Sequence, residues 1–137
     1  MMPRRTKIIV LDSWAIMAYF QDEPAAEAVQ NILVEAHEKN KRLLMSIINV
    51  GEIWYNYARR ITEAVANERV SQMRMAGVDF IDADWDLTLE ASRIKSKHAI
   101  AYADCFAAAL AKQEKAEIYT GDPEFRAVEE DLQIVWL

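Results

Sequence analysis

The chain has 137 residues, of which 53% are hydrophobic and 28% charged, with only three glycines and three prolines. This length suits one domain over residues 1–137, and scarce Gly and Pro beside plentiful Ala, Glu and Leu argue against an all-β sandwich. The net charge of −6 argues on its face against a nucleic-acid partner, because phosphate contacts need Lys and Arg. Carboxylates gathered around divalent cations would lift that objection, since the metal inverts the local charge.

The single cysteine, Cys105, cannot form an internal disulfide, which fits a reducing cytoplasm. No apolar run approaches membrane-spanning length, and Met1 to Lys7 lacks the apolar core of a signal peptide. The expectation is a cytoplasmic protein with no membrane partner.

Taken in order, Ile8 to Leu11 reads as a strand buried on both faces, ending abruptly at Asp12. Ser13 to Phe20 is a short helix capped by Asp12 or Ser13. Pro24 near a first turn, then Ala25, Val29, Ile32, Leu33 and Ala36 at helical spacing, mark a second helix. Arg42 to Ile48, with the apolar centre Leu43-Leu44-Met45, is strand two. Asn49 to Arg60 is an amphipathic helix with Val50, Ile53, Trp54 and Tyr57 on one face. A helix from about Thr62 to Ala76 is stopped by Gly77, and Val78 to Ile81 is strand three.

Trp85 to Lys97 is helical, and Asp104 opens an alanine-rich helix from Cys105 to Lys115. Glu117 to Tyr119 is strand four, Asp122 starts a turn or short helix, and Leu132 to Trp136 closes the chain as strand five. Strands alternating with helices imply right-handed crossovers. The fold class is therefore α/β, a three-layer sandwich whose central, mostly parallel five-stranded sheet carries helices on both faces.

Several α/β chemistries lack their residues here. No G-x-G-x-x-G follows strand one and no Walker A sequence occurs, so the dinucleotide and P-loop cradles are absent. A haloacid-dehalogenase-like site wants a second Asp where Trp14 stands, and a receiver-like site wants an acid pair where Asp12 is alone. His37 and His98 have no Ser or Cys nucleophile motif around them.

Carboxylates remain. Asp12 ends strand one, Glu52 lies in the second turn of the helix after strand two, Asp104 starts the alanine-rich helix, and Asp122 lies just past strand four. In a parallel sheet all these junctions share one edge, where ligands of open α/β folds bind. Four acids there repel one another unless a cation sits between them, and hard Mg²⁺ or Mn²⁺ takes oxygen ligands.

Each Asp taken singly reads better as a helix N-cap, and Glu52 as a solvated helix residue hydrogen-bonded to Asn56. Caps do not explain an acid within Val50-Gly51-Glu52-Ile53-Trp54, and it is the joint pattern that favours a site. Asp82, Asp84 and Asp86 sit around one helix start, where capping and the helix dipole account for them. Cys105 reads as a small buried hydrophobe. Arg93, Lys97 and His98 form a basic group that either pairs locally, Arg93 with Glu90, or tracks a polynucleotide backbone. Arg4, Arg5 and Lys7, or Arg59 and Arg60, are equally available.

Four stretches carry a family resemblance: Val10-Leu11-Asp12-Ser13-Trp14-Ala15, Asn49-Val50-Gly51-Glu52-Ile53, Tyr102 to Ala111 with Asp104 inside it, and Thr120-Gly121-Asp122-Pro123-Glu124-Phe125. In this order and spacing the chain resembles the PIN-domain nucleases, especially the toxins of VapC-type toxin–antitoxin modules. Trp14 is a departure, being bulky where the family often has a small residue, and the chain is more acidic than an RNA-binding protein suggests.

The resemblance implies a five-stranded parallel sheet and a Mg²⁺- or Mn²⁺-dependent endoribonuclease. It makes Asp12 and Asp104 the principal ligands, has Glu52 and Asp122 complete the site, and gives Ser13 and Thr120 the part of orienting these carboxylates. It further implies an RNA substrate such as tRNA or another structured RNA, a homodimer, and a cognate antitoxin lying in a groove near the site. Trp14, Tyr19, Phe20, Trp54, Tyr55 and Tyr57 are candidates for lining that groove, the dimer contact, or the core. A PIN nuclease for RNA processing without an antitoxin, or a catalytically silent PIN-like binding domain, are the alternatives.

Overall fold

Strand β1 (Ile8–Leu11) occupies the middle of a five-stranded sheet in the computed structural model, which describes residues 7–137. Arg4 and Arg5, considered above as backbone contacts, lie outside the described residues. The other strands are β2 (Arg42–Ser46), β3 (Val78–Ile81), β4 (Glu117–Thr120) and β5 (Gln133–Trp136), in the order β3-β2-β1-β4-β5. All four pairings are parallel, with Ile9 opposite Leu43 on one side and opposite Glu117 on the other.

Six α-helices connect the strands: α1 (Ser13–Phe20), α2 (Ala26–Glu38), α3 (Ile47–Arg60), α4 (Glu63–Met75), α5 (Trp85–Lys97) and α6 (Tyr102–Glu114). A 3₁₀ segment, Pro123–Asp131, joins β4 to β5. Side chains alternate across the strands, so Val10, Leu44 and Ile118 meet α5 and α6 while Ile9, Leu11, Leu43 and Met45 meet α1 to α4. Burial on both faces is why these strands read as unbroken apolar runs.

The buried Ala107 to Ala109 and Ala111 give α6 a narrow profile against the sheet and α5. No helix among the described residues is long and apolar enough to cross a membrane.

Two boundaries near the acids differ from the sequence reading, and the turn or short helix expected at Asp122 takes a definite form. Strand two stops at Ser46 instead of Ile48, because Ser46 Oγ accepts the Ile48 amide at 3.2 Å and starts α3 two residues early. Helix α6 begins at Tyr102 behind Ala101, which makes no side-chain cap, so Asp104 stands inside the first turn and does not cap the helix. Asp122 heads a 3₁₀ segment, the geometry Pro123 permits at its first position.

The chain winds outward from β1 through β2 to β3, then returns to β4 beside β1 and continues to β5. The sheet therefore reverses its winding direction between β1 and β4. Crevices at such switch points, beyond the carboxyl ends of the strands, are where open α/β sheets hold ligands.

Candidate metal centre

Asp12 leaves β1 directly at this switch point and is fully buried. One carboxylate oxygen caps α1, with the Ala15 amide donating to Oδ1 at 2.9 Å, so the cap reading holds for this residue. The other oxygen, Oδ2, accepts from Thr120 Oγ1 at 2.5 Å, across from β4. Two bonds leave lone pairs on both oxygens free for a further partner. Burial pushes the Asp12 carboxyl up to about 7, the Thr120 and Ala15 donors offset part of this, and the charges of Asp122 and Glu52 add to it.

Asp104 is also buried, and its place in the first turn of α6 puts it at the positive end of the helix dipole. That does not prevent its carboxyl from rising to about 8, first through burial, then through the charge of Asp122 and the nearby Glu124, Asp12 and Glu52. Burial is the first cause of the rise in both acids, and the charges of neighbouring acids add to it. A cation among them removes the second cause and opposes the first.

Glu52 comes from α3, and Ser13 Oγ donates to its Oε1. The expected bond to Asn56 exists in another form: Asn56 Nδ2 donates to the Glu52 backbone oxygen at 2.8 Å, leaving the carboxylate free for Ser13. Asp122 is half-buried, its amide donates to Thr120 Oγ1 at 3.0 Å, and its Oδ1 accepts from the Glu124 amide at 3.0 Å. Thr120 is therefore both donor and acceptor, joining Asp12 to the backbone of Asp122.

The tightest carboxylate group among the described residues is Asp104, Asp122 and Glu124, whose oxygens all lie within 4.8 Å of one another. Glu124 is exposed and was not among the acids picked out from the sequence. The signal was the second acid in Asp122-Pro123-Glu124, where Pro123 forces a turn that brings Glu124 back toward α6. Asn49 was also missed. Fully buried at the start of α3, it donates from Nδ2 to Ala103 O at 3.1 Å, while its Oδ1 has no partner. That bond fastens the helix carrying Glu52 to the residue before Asp104.

The donor set is all carboxylate oxygen, with hydroxyls behind it and no sulfur or imidazole among the residues described above. Such a set fits a hard divalent cation such as Mg²⁺ or Mn²⁺.

Several other candidates have local partners. Asp84 caps α5 through the Leu87 amide at 2.9 Å, and Asp86 follows in the first turn. Cys105 is buried, and burial raises its thiol above the usual value. Arg93 pairs with Glu90 at 3.4 Å, and Lys95 donates to Ile100 O, while Lys97 forms no ion pair among the described residues. His98 ends α5 on its backbone amide. Among the aromatics, Tyr57 is buried and, with Phe20, packs on the Arg69 guanidinium at 5.2 and 5.1 Å, whereas Tyr55 is exposed.

A family model described as PIN domain matches residues 9–131. No curated protein matches the sequence. The fold is similar to that of VapBC2 from Rickettsia felis, solved bound to a DNA fragment from its promoter, with a TM-score of 0.75, 17% identity, and 93% and 97% of the two chains covered. It is also similar to VapC20 of Mycobacterium tuberculosis, described as a sarcin-ricin-loop-cleaving toxin (TM-score 0.69, 17% identity, 88% and 94% covered). FitAcB of Neisseria gonorrhoeae shares the fold at 24% identity, with a TM-score of 0.68 and 92% and 95% of the chains covered.

Proposed function

The chain belongs to the PIN-domain family, and on that premise we propose that it is a Mg²⁺- or Mn²⁺-dependent endoribonuclease, the toxin of a toxin–antitoxin pair. The observation that carries the reading is the convergence of Asp104, Asp122 and Glu124, with buried Asp12 and half-buried Glu52 close enough to raise the Asp104 carboxyl. An enzyme core tolerates that much like charge at a switch-point crevice when a cation completes it.

In this reading Asp12, Asp104, Asp122 and Glu52 hold the metal, with Glu124 as a fifth carboxylate. When bound, the cation supplies Lewis-acid polarisation of the scissile phosphate and lowers the pKa of a water near it. The chain's own residues set the geometry. Thr120 and the Ala15 amide fix both oxygens of Asp12, and Ser13 turns the Glu52 carboxylate toward the crevice. Glu124, the exposed member of the cluster, can take a proton from an attacking water and release it to solvent. No side-chain nucleophile is needed, and the buried, raised Cys105 is unsuited to be one.

The substrate is RNA, approached along the carboxyl edge of the sheet, with Arg93, Lys97 and His98 as backbone contacts. The partner reading, a cognate antitoxin and a cytoplasmic homodimer, draws on neighbours that were solved as VapBC complexes. Purified protein should cleave RNA with Mg²⁺ or Mn²⁺ and stop when EDTA is added. Expression should arrest growth, and co-expression of the product of an adjoining small gene should relieve it. Cleavage that persists in EDTA refutes the metal reading, and cleavage with no neutralising partner favours an RNA-processing nuclease.

A further inference from the structure

Gly121 sits between the two residues that knit β4 into the acid cluster, and its reason for being glycine is not its backbone. Among glycines of the described residues only Gly77 has positive φ. What Gly121 provides is space. A methyl group on its Cα would stand 2.2 Å from Trp14 Cη2, 2.5 Å from Cζ3 and 2.6 Å from Cζ2, inside the ring's van der Waals surface. The indole therefore lies directly on the Gly121 backbone.

Trp14 stands in the first turn of α1, one residue beyond Ser13 and two beyond Asp12. The residue also borders a cavity of about 670 Å³ shared with Met17, Ala18, Pro24, Ala25 and Leu137. The ring thus touches both that cavity and the Gly121 backbone. Apart from it, Asp122 is held by its amide on Thr120 Oγ1, by the Glu124 amide on its Oδ1, and by the Phe125 amide on its carbonyl at 3.2 Å. The latter two tie Asp122 only to its own downstream turn. Buried Phe125 anchors the turn in the core that includes Val10, and Thr120 and Trp14 add contacts to Asp12 and α1 at the acids themselves.

We propose that Trp14 is a positioning residue of the metal centre: its indole, seated on Gly121, fixes where Asp122 and Glu124 stand relative to Asp12 and Asp104. This rests on the metal reading above. Its consequence is that positions 14 and 121 act as one unit, a large ring requiring a bare backbone opposite.

The test is a double-mutant cycle read by calorimetric titration with MnCl₂, with thermal melts in EDTA reporting the fold. Trp14→Ala and Gly121→Ala should each weaken Mn²⁺ binding by about 10-fold or more, the range seen when groups supporting a metal's ligands are removed. The double variant Trp14→Ala/Gly121→Ala should bind no worse than Trp14→Ala alone, because the methyl meets no ring. Trp14→Phe should fall between wild type and Trp14→Ala. Should Trp14→Ala fail to fold, Trp14→Phe/Gly121→Ala replaces the double variant, and the smaller ring should recover part of the Gly121→Ala loss.

Equal losses from Gly121→Ala in both backgrounds, or wild-type affinity in Trp14→Ala, would overturn the positioning role while leaving the metal reading intact. Wild-type protein with no Mn²⁺ affinity would overturn the metal reading and this inference together.

Discussion

Thr120 Oγ1 donates to Asp12 Oδ2 at 2.5 Å, joining residues 108 apart in the sequence across the point where the sheet changes direction. The same hydroxyl accepts the Asp122 amide. A single side chain thereby bonds both to the acid of β1 and to the backbone of the acid after β4.

Thr120→Val keeps the shape and removes the hydroxyl, leaving a buried carboxylate oxygen and the Asp122 amide short of a partner. The expected stability cost is about 1–3 kcal/mol, and activity should fall roughly 10- to 100-fold. Thr120→Ser should recover most of both. Chemical denaturation and RNA cleavage rates check the pair, and wild-type activity in the valine variant would contradict the proposed linkage.

Asp104→Asn should separate activity from stability. RNA cleavage is expected to disappear with the ligand. The metal-free fold should melt at a higher temperature than wild type at pH 8, because ionising Asp104 is opposed first by its burial and then by the charge of Asp122 and its neighbours. Asp12→Asn should also abolish cleavage. Cleavage at the wild-type rate in either variant defeats the metal-site assignment.

The metal-free protein should lose stability as pH rises from about 4 to 8. Asp12 and Asp104 keep their protons to about 7 and about 8 in the fold, against a reference of 3.8. Within that window the folded state binds more protons than the unfolded chain, so the free energy of unfolding falls with pH and levels off above it. Saturating Mg²⁺ should flatten this slope and should release protons on binding near pH 7. Melting curves in EDTA and in Mg²⁺ across pH 5–8 decide it; identical slopes in the two would contradict the cation's place among these acids.

Asn49→Ala cuts the tie from α3 to Ala103 and leaves that half-buried carbonyl without its side-chain donor. A loss of about 1–3 kcal/mol is expected. Because Glu52 rides on α3 and Asp104 on α6, metal affinity should fall by more than the loss of stability alone would bring. Asn49→Asp should fail to rescue, since a carboxylate has no donor for Ala103 O. Retention of wild-type Mn²⁺ affinity by Asn49→Ala would show that the tie serves folding only.

Much of this site was readable from the chain because a parallel sheet places every strand-to-helix junction on one edge. Asp12, Glu52, Asp104 and Asp122 needed only the alternation of strands and helices to be assigned there, and the sheet order adds that β1 and β4 are neighbours. What escaped depends on contacts that no local pattern encodes. Glu124 is an ordinary first-turn acid until the turn at Pro123 folds it toward Asp104. Asn49 looks like a polar residue at a helix start, yet burial against α6 makes it a fastener. Trp14 stood out as a bulky departure and a groove candidate, but the bare backbone that receives it lies near the other end of the chain.

The bond between Asp12 and Thr120 also sets a clock. During synthesis β1 emerges early, and the hydroxyl that orients its acid arrives only with the last strands. A nascent chain that ends before Thr120 lacks that hydroxyl, Asp122 and Glu124, so the cluster cannot assemble before β4 and the turn after it have been made. On the proposed reading, a shorter chain carries Asp12, Glu52 and Asp104 without the groups that complete the centre.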